Sequence, residues 1–329
     1  MNPSPHRPRA DGIVLDHLAH WVPDMTLAAE DLQRLGFTLT PYTEHSHSPA
    51  PDAPVEPAGT ANQCIMLHEG YLEILTATAD TALAKVVRTA MSRYIGVHLA
   101  AFGVNDAPAE RERLLVQGFA QRPAVALKRQ ATMADGSEHT LRFTVVRPQP
   151  GLLPEGRMQF LTQHTPELVW EERWLEHANG AQALTDLLLC SNDVDECSQR
   201  YARYLRTDAT PLHGQSNDQT NGQAGANQEE SNNSGRILRF ERGTLTILSP
   251  NAARDSVDGL RLPPAPCIAG YAVRVHDLNA TKEFLVDAGI PVTATGAGSV
   301  AVPMSRNLGG VCVFHDGAGP AWTKPQARS

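Results

Sequence analysis

Apolar positions run almost without a break through LDHLAHWVPD, residues 15–24, and the chain turns polar at Asp24. A helical rhythm follows, with Leu27, Leu32 and Leu35 assigned to its apolar side, and it stops at Gly36 before Phe37 opens another strand. The same order returns in HLAAFGVNDAPAERERLLVQGF at 98–119 and in YAVRVHDLNATKEFLVDAGI at 271–290. Asp24 and Gly36 are 12 residues apart, as are Asp106 and Gly118, and Asp277 and Gly289. Each aspartate is placed to cap a helix N-terminus by accepting from amides that have no partner within the helix. A fourth copy, LTDLLLCSNDVDECSQRYARYLR at 184–206, has the strand and the cap Asp193 but lacks the glycine.

Two hairpins match in the same way. IMLHEGYLEILTA at 65–77 and LRFERGTLTILSP at 238–250 each show a strand, a turn at Gly70 or Gly243, and an alternating strand. The repeating unit is therefore a strand, a helix and about three further strands, starting near residues 14, 95, 184 and 269. The expected divisions are an arm at 1–13 without order, an N-terminal domain at 14–182 (modules 14–92 and 93–182), a C-terminal domain at 183–318 (modules 183–252 and 265–318), and a tail at 319–329. Residues 213–235 hold almost no apolar side chain and are expected to be a disordered insertion, because they cannot bury enough surface to offset the entropy of ordering. The Pro-rich stretch 47–59 is expected to be a loop.

The 329 residues are 41% hydrophobic, ample for two domains, and carry a formal net charge of −8. Such a chain has no electrostatic pull toward nucleic acid or anionic lipid. No apolar run approaches the roughly 20 residues of a spanning helix, and the N-terminus lacks the apolar stretch of a secretory signal. The five cysteines are scattered without a CxxC pair and read as buried thiols of a reducing cytoplasm.

The opening LDHLAHWVPD, the helix closing with LGF, GTANQCIML, GYLEIL and the run FLTQHTPELVWEERWLEHANGA at 160–181 together resemble the vicinal oxygen chelate superfamily, in its glyoxalase-like branch. The resemblance implies an α+β fold of four βαβββ modules. These pair into two half-barrel domains of the glyoxalase/dihydroxybiphenyl dioxygenase type, each curved around a small-molecule cavity. It implies a divalent metal (Fe, Mn or Zn) held by the first and last strands of a module, and chemistry that ranges from isomerisation to ring-cleaving dioxygenation.

His17 and Glu73 match the ligand positions of that pattern. Glu73 stands alone in an apolar strand, so its charge needs a metal or an arginine partner. Aligning the repeats sets Leu99 opposite His17 and leaves His98 one residue out of register, which only a bulge would rescue. Gln159 falls opposite Glu73, and His164 ends its strand before a Thr-Pro turn. His17, Glu73 and His164 make a set of two histidines and one carboxylate suited to a metal with open positions. Glu73 or His164 would then move a proton, with His98 a further candidate ligand. Gln159, Trp170, His177 and Asn179 are expected around the substrate; core packing for Trp170 and Trp174 and a plain turn at His177 and Asn179 are the alternatives. Arg142 and Arg147 flank a strand, where each could hold an anion or lie on a solvated edge.

The C-terminal modules carry Asp186, Gly270, Thr246 and Val313 at the corresponding positions and no ligand set, so that half reads as scaffold or dimerisation surface. The expected function is a metal-dependent lyase or isomerase acting on a small oxygenated metabolite. An iron(II) dioxygenase of the extradiol type and a metal-free binding protein are the alternatives. The partners expected are a small-molecule substrate and a second copy of the chain.

Overall fold

A computed structural model describes residues 6–47, 56–212, 235–295, 298–317 and 322. The 213–234 part of the insertion, residues 48–55 of the Pro-rich stretch and most of the tail lie outside these residues.

The first domain begins with β1 (Val14–Trp21), α1 (Met25–Arg34), β2 (Thr43–His47), β3 (Glu56–Met66) and β4 (Tyr71–Ala77). After α2 (Ala82–Met91) the order repeats as β5 (Gly96–Gly103), α3 (Ala107–Val116), β6 (Val125–Thr132), β7 (Glu138–Val146) and β8 (Arg157–Gln163). A short α4 (Pro166–Val169) leads to the second domain: β9 (Ala181–Cys190), α5 (Val194–Leu205), β10 (Ala209–Pro211), β11 (Arg236–Arg239), β12 (Thr244–Leu248) and α6 (Pro250–Ser256). The last module is β13 (Cys267–Val275), α7 (Leu278–Asp287), β14 (Thr293–Thr295), β15 (Ser299–Pro303) and β16 (Val311–His315). No helix among the described residues is long and apolar enough to cross a membrane.

Each domain is one eight-stranded sheet, ordered β2-β3-β4-β1-β5-β8-β7-β6 and β10-β11-β12-β9-β13-β16-β15-β14. Within a module the first strand runs parallel to the last, and the first strands of paired modules meet antiparallel at the sheet centre. This is the expected paired half-barrel α+β architecture. All four aspartates cap their helices through the side chain: Asp24 from Leu27 N, Asp106 from Ala109 N, Asp193 from Glu196 N and Asp277 from Asn279 N and Ala280 N. Gly36, Gly118 and Gly289 take left-handed conformations just past the helices. In the copy without a glycine, Arg206 adopts that conformation itself, at φ 46°.

The apolar face of α1 differs from the expected one. Met25, Ala28, Ala29 and Leu32 are buried while Leu27 is 45% exposed, because the helix turns its Met25–Leu32 stripe, not Leu27, to the sheet. The convex faces of both sheets share one core. Leu18, Leu72 and Phe102 of the first sheet meet Leu187, Ile247 and Phe314 of the second in it, together with residues of α1, α3, α5 and α7. His20 belongs to this convex side, bonded to the Leu308 carbonyl at 2.8 Å and the Tyr271 hydroxyl at 3.2 Å.

The concave faces differ. That of the second domain is filled by apolar groups: Leu188, Ala272 and Val313 of the sheet, Ala253 of α6, Val257, Leu260 and Trp322. In the first domain a similar plug, with Val87 of α2 against Ala19, Trp21, Leu99 and Leu161, occupies one end only. The other end is polar. All five cysteines are buried and unpaired.

Candidate functional site

Strand alternation aims His17, Ala19 and Trp21 of β1 to the concave side of the first domain. The pairing register then lays out two rows. In one, Tyr71, His17, Ala101 and Gln159 lie side by side across β4, β1, β5 and β8; in the next, Glu73, Ala19, Leu99 and Arg157 do. His17, Glu73 and Gln159 therefore share one face, with only small or apolar residues between them.

His17 is 6% exposed, and its Nδ1 lies 2.6 Å from Asp16 Oδ1. Asp16 can reach the concave side because the β1–β5 register slips between Leu15 and His17, leaving Asp16 as the unpaired residue of a bulge. Gln163 Nε2 donates to the same carboxylate at 3.2 Å. The histidine ring stacks on Tyr71 at 4.4 Å. An Nδ1–H held by a carboxylate fixes the tautomer and leaves Nε2 as the basic nitrogen. Among the described residues Nε2 makes no hydrogen bond.

Glu73 is 9% exposed and has no direct arginine partner. Asn62 Nδ2 donates to its Oε1 at 2.5 Å, and Asn62 Oδ1 accepts from Arg129 Nη2 at 2.6 Å. The same Nη2 lies 2.7 Å from His45 Nε2, and His45 Nδ1 lies 3.0 Å from Thr60 Oγ1. Arg129 belongs to β6 and His45 to β2, so the sheet curls until its opposite edge strands meet through this chain of hydrogen bonds. Burial lowers the His45 pKa, Glu73 works against it and the Arg129 charge adds to it. Burial, reinforced by Glu73, pushes the Cys64 thiol up to about 12, which keeps it protonated and inert. Tyr71 is likewise held well above the usual phenol range by burial and by Asp16.

The remaining predicted residues are not set beside His17 and Glu73, although His98 and Trp170 pack on Trp21 and Tyr71 of this face. His98 is the extra residue of the second bulge in the β1–β5 pair; its ring stacks on Trp21 and Tyr94 and its Nε2 meets the Tyr94 carbonyl at 2.8 Å. His164 continues the alternation of Phe160 and Thr162, on the opposite side from Gln159. Its Nε2 is bonded to Thr144 Oγ1 at 2.8 Å. Both nitrogens of His177 are taken, Nδ1 accepting from Thr38 N and Nε2 meeting the Met66 carbonyl. Asn179 donates to the Leu35 carbonyl and accepts from Ala181 N, tying the domain junction. Trp170 packs with Cys64, Met66 and Tyr71 at the rim and donates from Nε1 to the Leu67 carbonyl at 3.0 Å.

Residues 6–12, expected to belong to an arm without order, lie against this rim. The His6 ring stacks on Trp170 at 4.2 Å, and Asn105 donates to the carbonyls of Pro8 and Ala10. A cavity of about 130 Å³ lies between them and the ends of β5 and β8, lined by Arg7, Gly103, Gln163 and His164. A larger one of about 550 Å³ opens on the second domain beside α7. Neither is lined by His17 or Glu73.

For a metal, the donor set decides. Among the described residues no group of three or more His, Cys, Asp or Glu side chains is placed to hold one. Leu99 stands where the second module would supply a further donor. The concave face does offer a mixed set: the open Nε2 of His17 backed by its carboxylate, the Glu73 carboxylate, and the Oε1 of Gln159, which is buried without a partner. A cation is one way to satisfy that oxygen, and a histidine, a carboxylate and an amide oxygen are donor types that suit a divalent ion. Asp16, Asn62 and Arg129 were beyond the reach of sequence reasoning. The Asp-His pair is visible at 16–17, but nothing in it announces a bulge.

Residues 15–205 match a family model described as Glyoxalase-like domain. No curated protein matches the sequence. Three solved structures are similar in fold. A hypothetical protein from Staphylococcus aureus has a TM-score of 0.57 at 12% identity, covering 92% of this chain and 99% of that one. A mutant of 4-hydroxymandelate synthase from Streptomyces coelicolor has a TM-score of 0.51 at 15% identity, covering 94% and 95%. A catechol 2,3-dioxygenase has a TM-score of 0.51 at 10% identity, covering 97% and 93%. At these identities the likeness shows the fold alone.

Proposed function

The chain belongs to the glyoxalase-like domain family, and from that premise we propose that it is an enzyme of lyase or isomerase type, working on a small oxygenated metabolite at the concave face of its first domain. The observation that carries this reading is His17, oriented by Asp16 with Nε2 open, on the same face as the buried Glu73. A divalent ion held by His17, Glu73 and Gln159 would polarise a substrate oxygen and stabilise enolate-like charge.

The protein's own groups have separable roles. Asp16 holds the His17 tautomer, and Tyr71 holds the plane of its ring. Asn62 fixes one oxygen of Glu73, and the other makes no hydrogen bond among the described residues; where the ion leaves that oxygen free, it is the one to accept a proton. Trp21, Leu99 and Leu161 close the apolar end and keep water from it.

Calorimetric titration of Mn²⁺, Zn²⁺ and Fe²⁺ into the purified chain tests the reading. One equivalent should bind, with a loss of tenfold or more in His17→Gln and in Glu73→Gln, and unchanged affinity in His98→Gln and His164→Gln. Oxygen uptake with catechol-type compounds by the iron form would shift the assignment to a dioxygenase. No binding of any of the three ions, with unchanged thermal stability, would sink the metalloenzyme. It would favour the metal-free alternative.

A further inference from the structure

Arg157 opens β8, pairs with Leu99 of β5, and faces the concave side in the same row as Ala19 and Glu73. Its guanidinium makes no hydrogen bond or ion pair among the described residues, unlike Arg129, which is spent on Asn62 and His45. Burial lowers its pKa to about 10, the nearby Arg122 charge adds to this, and Glu73 works against it. Arg157 is half-buried, so its guanidinium stands at the edge of this face, in reach of water and of a ligand. Two residues along the same strand face, Gln159 is 7% exposed and its carboxamide makes no hydrogen bond among the described residues. Side chains at this spacing stand side by side, roughly 7 Å apart along a strand. Two adjacent unpaired polar groups on a rigid strand are a preorganised recognition element rather than a packing accident.

We infer that Arg157 and the amide nitrogen of Gln159 form a clamp for the carboxylate of a small organic acid, so that the substrate class of this site is a monoanionic carboxylate. A guanidinium offers parallel donors that match the two oxygens of a carboxylate, and an amide N–H adds a third. A single charge suits the site, because Glu73 on the same face would repel a dianion. The floor between the clamp and His17 is Ala101, and between the clamp and Glu73 it is Ala19 with Leu99. The inference rests on the reading that this concave face is the active site.

The test uses the full chain and two matched probe pairs, lactate with lactamide and glycolate with glycolamide. Each is followed by calorimetry, by thermal unfolding and by the imidazole nitrogen signals of His17, assigned through His17→Gln. Lactate and glycolate should bind and shift the His17 signals, while the neutral amides should bind at least tenfold more weakly. Arg157→Gln should lose that discrimination and leave the melting temperature little changed, since the half-buried guanidinium makes no hydrogen bond or ion pair among the described residues. Arg157→Lys should retain part of the affinity. A residue with a merely structural role would lower the melting temperature and leave discrimination intact. Amides that bind as well as the acids, no binding by any probe, unchanged binding in Arg157→Gln, or a lower melting temperature in that variant would each overturn the clamp. Amide binding that shifts His17 overturns the carboxylate class but leaves the active site where it is placed. Acid binding that leaves His17 unmoved overturns that placement instead.

Discussion

Asp16 shows how much rides on one carboxylate. With Nδ1–H of His17 donated to it at 2.6 Å, the imidazole presents a basic Nε2; with an amide in its place, the ring is free to take the other tautomer. Asp16→Asn should therefore lower metal affinity by roughly 10–100-fold, as removal of such supporting groups does, with little change in melting temperature. Calorimetric titration alongside a thermal melt separates the two effects. Buried titrating groups also set the acid response. His20 is fully enclosed and its pKa falls to about 4, through burial, against the Leu308 hydrogen bond. A histidine whose folded pKa lies below its unfolded value of 6.5 contributes stability that is complete above pH 6.5 and is lost as pH falls toward 4. For His20 this amounts to about 3 kcal/mol. Asp186 has the opposite sign. Burial raises it to about 6, so the stability of its neutral form is present near pH 4 and gone by pH 6. Asp186→Asn should then stabilise the protein by roughly 2–3 kcal/mol at pH 7 and by almost nothing at pH 4. Urea unfolding at the two pH values measures this difference, and equal effects at both would contradict it.

At the level of elements, the aspartate and glycine that bracket each helix were legible because both act locally: the cap bonds its own helix and the glycine turns its own chain. What local pattern cannot carry is what lies on the other side. Gly36, Gly118 and Gly289 look alike in the sequence, yet a Cβ on Gly36 would sit 2.6 Å from Phe284 Cε1 and 2.9 Å from the Asn179 backbone nitrogen, while those on Gly118 and Gly289 would meet nothing within 4 Å. Gly118→Ala and Gly289→Ala should each cost about 1–2 kcal/mol, the strain of a left-handed residue. Gly36→Ala should cost more, because the α1 terminus must also part from α7 and the 177–180 turn. Chemical denaturation of the three variants ranks them. The same limit explains the site. Strand alternation puts His17, Glu73 and Gln159 on one face and was readable. The histidines at 98 and 164 carry suitable chemistry, but a bulge turns one into the Trp21–Tyr94 stack and parity turns the other to the convex side. Asn62 and Arg129 come together only through the curl of the whole sheet, for which no short stretch has a signature.

For the whole molecule, the two domains have the same plan and opposite interiors. Where the first keeps polar groups on its concave face, the second packs α6 and Trp322 into it. The halves are also joined by Glu155, which is 1% exposed and accepts from Arg200 at 2.8 and 3.0 Å, from Tyr201 at 3.1 Å and from the Cys197 thiol at 3.4 Å, all on α5. Salt-bridging Arg200 holds this carboxyl below the usual range despite the opposing effect of burial. Glu155→Ala would leave Arg200 paired with Glu196 alone and the buried Tyr201 hydroxyl without this acceptor, and should cost about 1–3 kcal/mol. A melt that barely moved would show that water replaces the contact.

The shared convex core has a consequence for how the chain can come apart. Neither sheet owns a complete interior, since the surface that each turns away from its own hollow is covered by the other. The molecule should therefore unfold as one cooperative unit, with calorimetric and van't Hoff enthalpies in agreement, although it reads as two domains. A fragment ending at the α4–β9 junction would retain every candidate catalytic group and lose the wall they are built against. In that sense the second half is the first half's missing interior, and the repeat is indivisible.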